Sequence, residues 1–219
     1  MIKSLFISKH SSEVLELQQF ADANEIQLEA KSFLKFSPVD FTLPSSFDVI
    51  FFGSPRALIF YQSRYSIPQN VQIASVGGKT TTLLRSMGYN VAFNGENHGS
   101  ISEVAKSFQI WLQDRKALFP VSTKSLGTIS KGLPSDQAIH VECYKTEIVP
   151  LKLDTEFDVY VFTSPSNVEG YFGENAIPES SAVIAWGEST QKKLDSFDIV
   201  PITLDEPSLQ HLQEHLSKM

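Results

Sequence analysis

The chain has 219 residues, enough for one or two domains, and its hydrophobic fraction of 42% against 20% charged is that of a globular protein with a core to bury. Eighteen Lys and Arg against 25 Asp and Glu leave a formal charge of −7. That excludes a general affinity for nucleic acid phosphate or an anionic membrane surface, so an anionic small ligand would be held by backbone amides or local lysines.

Residues 2–7 read as a buried first strand, too short in their apolar part for a signal peptide. Ser11 or Ser12 is expected to cap a helix with Val14, Leu17, Phe20 and Ala21 on its inner face and Asn24 as its stop. Ile26 to Phe36 alternates as one long strand, and Pro38 and Pro44 break the pattern. A strand at 47–52 runs into Ser54-Pro55. Another, Gln72 to Val76, ends at Gly77-Gly78-Lys79-Thr80 and a short helix. A strand at 90–93 precedes an amphipathic helix from Ser100, with Ile101, Val104, Ala105, Phe108, Trp111 and Leu112 as its apolar side.

Ala117 to Val121 is a strand, and Ser125 to Ile129 is weakly helical at best. Ala138 to Val149 alternates as a second long strand, with Ile139, Val141 and Cys143 on one face and His140, Glu142 and Tyr144 on the other. Strands follow at 157–162, 182–186 and 198–202, and a helix begins after Pro207-Ser208 with Leu209, Leu212 and Leu216 as its stripe. Strands alternating with helices predict parallel sheets covered on both faces.

The chain repeats itself. Phe157-Asp158-Val159-Tyr160-Val161-Phe162-Thr163-Ser164-Pro165 restates Phe47-Asp48-Val49-Ile50-Phe51-Phe52-Gly53-Ser54-Pro55 at a distance of 110 residues. Gly187 and Thr190 stand in the same relation to Gly77 and Thr80. The expectation is two similar α/β domains, each with a flavodoxin-like parallel sheet. The long strands at 26–36 and 138–149, one leaving each half, are expected to pair as a two-stranded connector.

Ser-Pro at a strand-to-helix switch has a structural explanation, since serine caps the helix and proline suits its first position. Helix N-termini at the carboxyl ends of parallel strands also collect anionic and polar ligands. Four such ends, at 54–56, 77–80, 164–167 and 187–190, favour the functional reading. Gly78-Lys79-Thr80 is not a phosphate-binding P-loop, because Ile73 stands where that motif needs glycine.

His211 and His215, one turn apart, read as a solvated helix face, and no metal is expected. His10, His98 and His140 form no constellation, and no G-x-S-x-G elbow occurs. Tyr144 is either a cross-strand packing residue or an ionisable hydroxyl at a site. Trp186 reads as core before the Gly187 turn. The single cysteine, Cys143, excludes an internal disulfide and a cysteine-based metal cluster. With no apolar run near the ~18 residues a membrane span needs, the expected location is the cytoplasm.

The order Phe-x-Ser-Pro, Gly-x-x-Thr80, helix, Tyr144-Lys145-Thr146, Phe162-Thr163-Ser164-Pro165-Ser166-Asn167, Gly187-x-x-Thr190 and Pro207-Ser208-Leu209 resembles the uroporphyrinogen-III synthase family. Order and spacing over nearly the whole chain carry the resemblance, because each motif alone is loose. It implies two domains joined by a two-stranded β-ladder, a discontinuous one of residues 1–36 plus 146–219 and a second of 37–145. Between them the linear tetrapyrrole hydroxymethylbilane would lie.

The implied reaction loses the substrate's hydroxyl, passes through an azafulvene and a spiro intermediate, and closes uroporphyrinogen III with its terminal ring inverted. The resemblance implies a lyase, in haem biosynthesis, without metal or organic cofactor, acting as a cytoplasmic monomer. By the same resemblance Tyr144 would assist departure of the hydroxyl. Ser54, Gly77, Thr80, Ser164, Ser166, Asn167, Gly187, Ser189, Thr190 and Lys9 would hold the substrate carboxylates.

Three places depart from the family pattern. Ile7-Ser8-Lys9 replaces a Thr-Arg strand end, Ser122-Thr123-Lys124 a basic Gly-containing turn, and Gly53 a frequent threonine. They bear on affinity more than on fold. A competing reading uses the same helix N-termini without Tyr144: a non-catalytic two-domain module that closes on a small anionic ligand.

Overall fold

The computed structural model describes residues 2–125 and 127–219. The chain forms two compact units, one of residues 1–35 and 147–219 and the other of residues 36–146. It leaves the first unit within β3 (Leu34–Pro38) and returns within β8 (Ala138–Ile148), and these strands are neighbours in one sheet. Val39 N donates to Cys143 O (3.1 Å) and Val149 N to Phe33 O (2.8 Å), the falling register of an antiparallel pair.

The first unit is built on β1 (Ser4–Ile7), β2 (Gln27–Ala30), β9 (Val159–Phe162), β10 (Ala182–Ala185) and β11 (Ile202–Thr203), in the order β11-β10-β9-β1-β2 with all pairs parallel. Alternate side chains of each strand enter different cores. Leu5, Ile7, Val159 and Val161 pack with Leu17 and Ala21 of α1 (Leu15–Ala23) and Leu212 and Leu216 of α7 (Leu209–Leu216). Phe6, Tyr160 and Phe162 pack on the other face with Tyr171 of α5 (Pro165–Phe172) and Leu194 of α6 (Glu188–Asp195). At about 1.5–3 kcal/mol per buried large side chain, both faces contribute to the stability of the unit.

The second unit uses β4 (Val49–Phe52), β5 (Gln72–Ser75), β6 (Val91–Asn94), β7 (Ala117–Ser122) and β8, with β3 at the edge, in the order β3-β8-β7-β4-β5-β6. Helices α2 (Pro55–Gln62), α3 (Gly78–Ser86) and α4 (Ile101–Leu112) complete it. Here Ile50 and Phe52 pack with Tyr61 and Leu84, and Val49 and Phe51 with Phe108 and Leu112.

The repeat acquires a topology. Strands β4, β5 and β6 correspond to β9, β10 and β11, while β7 and β8 take the places of β1 and β2. The two sheets therefore share one spatial order, and one is a circular permutation of the other. Matching bonds support the match: Asp158 Oδ2 accepts from Lys3 N at 2.7 Å, as Asp48 Oδ2 accepts from Lys116 N at 2.8 Å.

Four local expectations change. The strand expected over 26–36 is two strands, β2 and β3, because Asn167 captures the intervening backbone at Phe33 N (2.9 Å) and Phe33 is wholly buried. The expected helix has no side-chain cap: His10 caps a separate 3₁₀ turn over Ser11–Glu13, and α1 follows Val14 without one. The strand expected at 198–202 starts only at Ile202, since Asp198 has φ 59° and Ile199 N closes the end of α6 on Leu194 O.

The fourth change concerns β8. Its pairing with β7 passes from Val121–Glu142 to Ser122–Tyr144, leaving Cys143 as an extra residue. This bulge brings Tyr144 to the face of Val141 and Cys143 rather than that of His140 and Glu142.

Candidate functional site

In an open α/β sheet the ligand crevice lies beyond the carboxyl ends of the two adjacent strands from which the chain departs in opposite directions. Those pairs are β1/β9 in the first unit and β4/β7 in the second. In the first unit the place is filled by side chains that bond to one another. Thr163 N donates to Ser8 Oγ (2.8 Å) and Thr163 Oγ1 to Ser8 O (2.8 Å). Asn167 Nδ2 donates to Ser8 O and Ser164 Oγ (3.1 Å each), and its Oδ1 accepts from Phe33 N (2.9 Å) and Ser32 Oγ (3.2 Å).

In the second unit the strand registers put Pro120 in the place of Ser8, Gly53 in that of Thr163 and Ala57 in that of Asn167. Three small or apolar residues cannot fill the space, and a cavity of about 240 Å³ opens there. Its lining includes Gly53, Ser54, Ala57, Pro120, Ser122 and Tyr144, with the turn at 127–130 as a further wall.

Tyr144 is 8% exposed. Its ring stacks on Phe60 of α2 (centroids 5.0 Å, planes 12° apart) and lies 6.4 Å from Phe36, over which the Arg56 guanidinium rests at 3.5 Å. Two aromatic neighbours thus fix the ring, and among the described residues none hydrogen-bonds the hydroxyl. Cys143 beside it is a poor nucleophile: burial pushes its thiol up to about 11.

The other expected residues divide by environment. Ser54 caps α2 by accepting from Ala57 N (3.1 Å), and Ser164 caps α5 by accepting from Asn167 N (3.3 Å). Each cap uses the oxygen as acceptor and leaves the hydroxyl proton available as a donor. Ser166 is half-buried in the first turn of α5. Asn167 is 4% exposed, with both amide protons and the carbonyl oxygen engaged inside the protein; it positions Ser164 and the 32–33 backbone.

Gly77 precedes α3 at φ +110°, and Gly187 precedes α6 in extended backbone. Thr80 and Thr190 are both 2% exposed on those helices, whereas Ser189 is exposed. The Lys9 ammonium lies 5.2 Å from the ring centroid of Trp186, which packs on the first unit's core. Of the expected set, then, the cavity holds Ser54 and Tyr144. Gly77 and Thr80 follow β5 in the same unit, and the rest belong to the first unit.

Sequence reasoning missed Ala57 and Pro120, and noticed Ser122 only as part of the Ser122-Thr123-Lys124 turn. The signal was present in the repeat, where small residues stand opposite a bonding set, but it needs the strand registers to be read. Among the described residues no His, Cys, Asp or Glu side chains group as metal ligands would, and no helix is long and apolar enough to cross a membrane.

No curated protein matches the chain in sequence. The structure is similar to that of uroporphyrinogen-III synthetase from Helicobacter pylori, with a TM-score of 0.75 at 17% identity over 100% of both chains. It is also similar to a mutant uroporphyrinogen III synthase from the extremely thermophilic bacterium Thermus thermophilus, with a TM-score of 0.59 at 14% identity over 99% of this chain and 97% of that one. At such identities the likeness shows the two-domain α/β fold. The family is shown by the profile described as uroporphyrinogen-III synthase HemD, which matches residues 25–214. Sequence order, permuted double fold and profile agree, and the chain belongs to the uroporphyrinogen-III synthase family.

Proposed function

We propose that the chain converts hydroxymethylbilane to uroporphyrinogen III as a cyclising lyase, with Tyr144 as proton donor. The observation that carries this reading is the Tyr144 hydroxyl, held by Phe60 and Phe36 at the wall of the switch-point cavity with no protein partner among the described residues. Its proton passes to the departing hydroxyl, which leaves as water, and the bilane becomes an azafulvenium cation. The terminal ring attacks through its substituted carbon to give the spiro intermediate. Fragmentation and reclosure invert that ring, and the proton lost on rearomatisation restores the phenol.

Most of the chemistry belongs to the pyrroles, so the protein's task is to hold one folded conformation of the substrate. The hydroxyls of Ser54, Ser164, Ser166 and Ser189, with the backbone amides at Gly77–Thr80 and Gly187–Thr190, serve the acetate and propionate carboxylates. Lys9 adds one cation. Asn167 contributes by holding Ser164. The chain acts as a monomer in the cytoplasm and uses no cofactor. The non-catalytic binding module is not favoured, because an enzyme family matches most of the chain.

The test is incubation with freshly prepared hydroxymethylbilane, followed by oxidation and separation of the isomers. Isomer III is expected; isomer I alone, the product of spontaneous closure, would refute the reading.

A further inference from the structure

In the first unit the connection from β1 to β2 carries α1, but the corresponding connection from β7 to β8 in the second unit forms turns across its described residues. Gly127 adopts φ +61°, and its carbonyl accepts from Ser130 N (3.1 Å), Lys131 N (3.0 Å) and Ser130 Oγ (3.0 Å). This turn is the wall of the cavity beside Tyr144. Ser130, 7% exposed, lies 2.7 Å through Oγ from His140 Nε2 on β8. The imidazole also stacks on Phe119 (5.4 Å, 23°), a lining residue of the cavity, while His140 itself lies outside that lining.

A serine hydroxyl has one proton. A carbonyl can only accept, and with that proton on Gly127 O, as the 3.0 Å contact allows, His140 Nε2 is the donor to Ser130. We propose that His140 is a positioning residue for substrate binding: by donating from Nε2 it clamps the 127–130 turn at the spacing from Ser54 and Tyr144 that the substrate requires. The proposal rests on the reading of this cavity as a substrate site.

Ile129 and Leu133 pack against the core on the same side, so the turn stays folded when the clamp is cut and loses only its fixed distance. Glu142 and Lys131 line a neighbouring cavity of about 370 Å³ with His140.

The experiment is steady-state kinetics of the full chain on hydroxymethylbilane, for the wild type, His140→Phe, His140→Gln and Ser130→Ala. Phenylalanine keeps a ring on Phe119 but removes the donor, and glutamine restores an N–H near Nε2. His140→Phe and Ser130→Ala are each expected to raise KM about three- to tenfold, the range of one hydrogen bond, with kcat within about twofold. His140→Gln should recover most of the loss, and a variant carrying both His140→Phe and Ser130→Ala should be no worse than either single one.

An unchanged KM in His140→Phe, or no recovery in His140→Gln, would overturn the clamp while an active wild type leaves the synthase reading standing. A fall in kcat alone would also overturn it. An inactive wild type would overturn both.

Discussion

Tyr144 and Asn167 are both nearly buried polar residues at the mouth of a parallel sheet, and their surroundings give them opposite tasks. The Asn167 amide bonds with Phe33 N, Ser32 Oγ, Ser8 O and Ser164 Oγ. Replacing it with alanine leaves a buried donor at Phe33 and a loosened Ser164. Asn167→Ala should therefore lose about 2–3 kcal/mol of stability, the cost of one or two abandoned buried groups, read from denaturant midpoints at constant slope. The Tyr144 hydroxyl bonds to no described residue, and the side chain packs through its ring. Tyr144→Phe should keep the ring stack and the denaturant midpoint, while turnover falls by roughly ten- to a thousandfold, the range of a positioned acid. A full-rate variant would remove the acid role and leave the binding assignments in place.

At the scale of elements, the two Gly-x-x-Thr turns look alike in sequence and differ in backbone. Gly77 holds φ +110°, and a Cβ there would lie 2.6 Å from Glu96 N. Gly187 is extended, with nothing within 4 Å of the place its Cβ would take. Gly77→Ala is expected to lose more than about 2 kcal/mol through strain and backbone overlap. Gly187→Ala should fall within about 0.5 kcal/mol of the parent. If the Gly187 variant is stable but slow, the glycine serves the approach of substrate to the α6 amides; chemical denaturation and the isomer assay on the same samples separate the two. The bulge in β8 is an element-scale event as well, because one extra residue at Cys143 moves Tyr144 to the other side of the sheet from its expected face.

For the whole molecule, the governing facts are an acidic chain and a permuted repeat. A protein with a formal charge of −7 repels a polycarboxylate at long range. On the proposed function, binding comes mainly from short contacts with hydroxyls and amides, which salt screens little, with Lys9 as the one cation. Raising ionic strength from about 20 to about 300 mM should leave KM flat or lower it, since only the general repulsion is screened over that range. A steep rise in KM, measured at fixed pH, would point instead to a clamp of lysines and arginines. The permutation assigns each unit its part: the same strand order leaves one switch point packed with bonded side chains and the other open.

Much of this was legible in the residues alone. Hydrophobic alternation and Ser-Pro caps specify the strands and most helices, because these depend on neighbours a few positions apart, and the 110-residue repeat shows the correspondence of the two halves by direct comparison. The break between β2 and β3 was not legible, since it depends on Asn167, 134 residues away from Phe33. Nor was the bulge that redirects Tyr144, which is a mismatch between two strands rather than a property of one. The cavity is likewise a tertiary fact. Gly53, Ala57 and Pro120 are unremarkable in the chain, and only the register of β4 against β7 gathers them where the first unit keeps Thr163, Asn167 and Ser8. Sequence determined what each strand could be; the packing of distant strands decided which of two equivalent places was left open as a cavity.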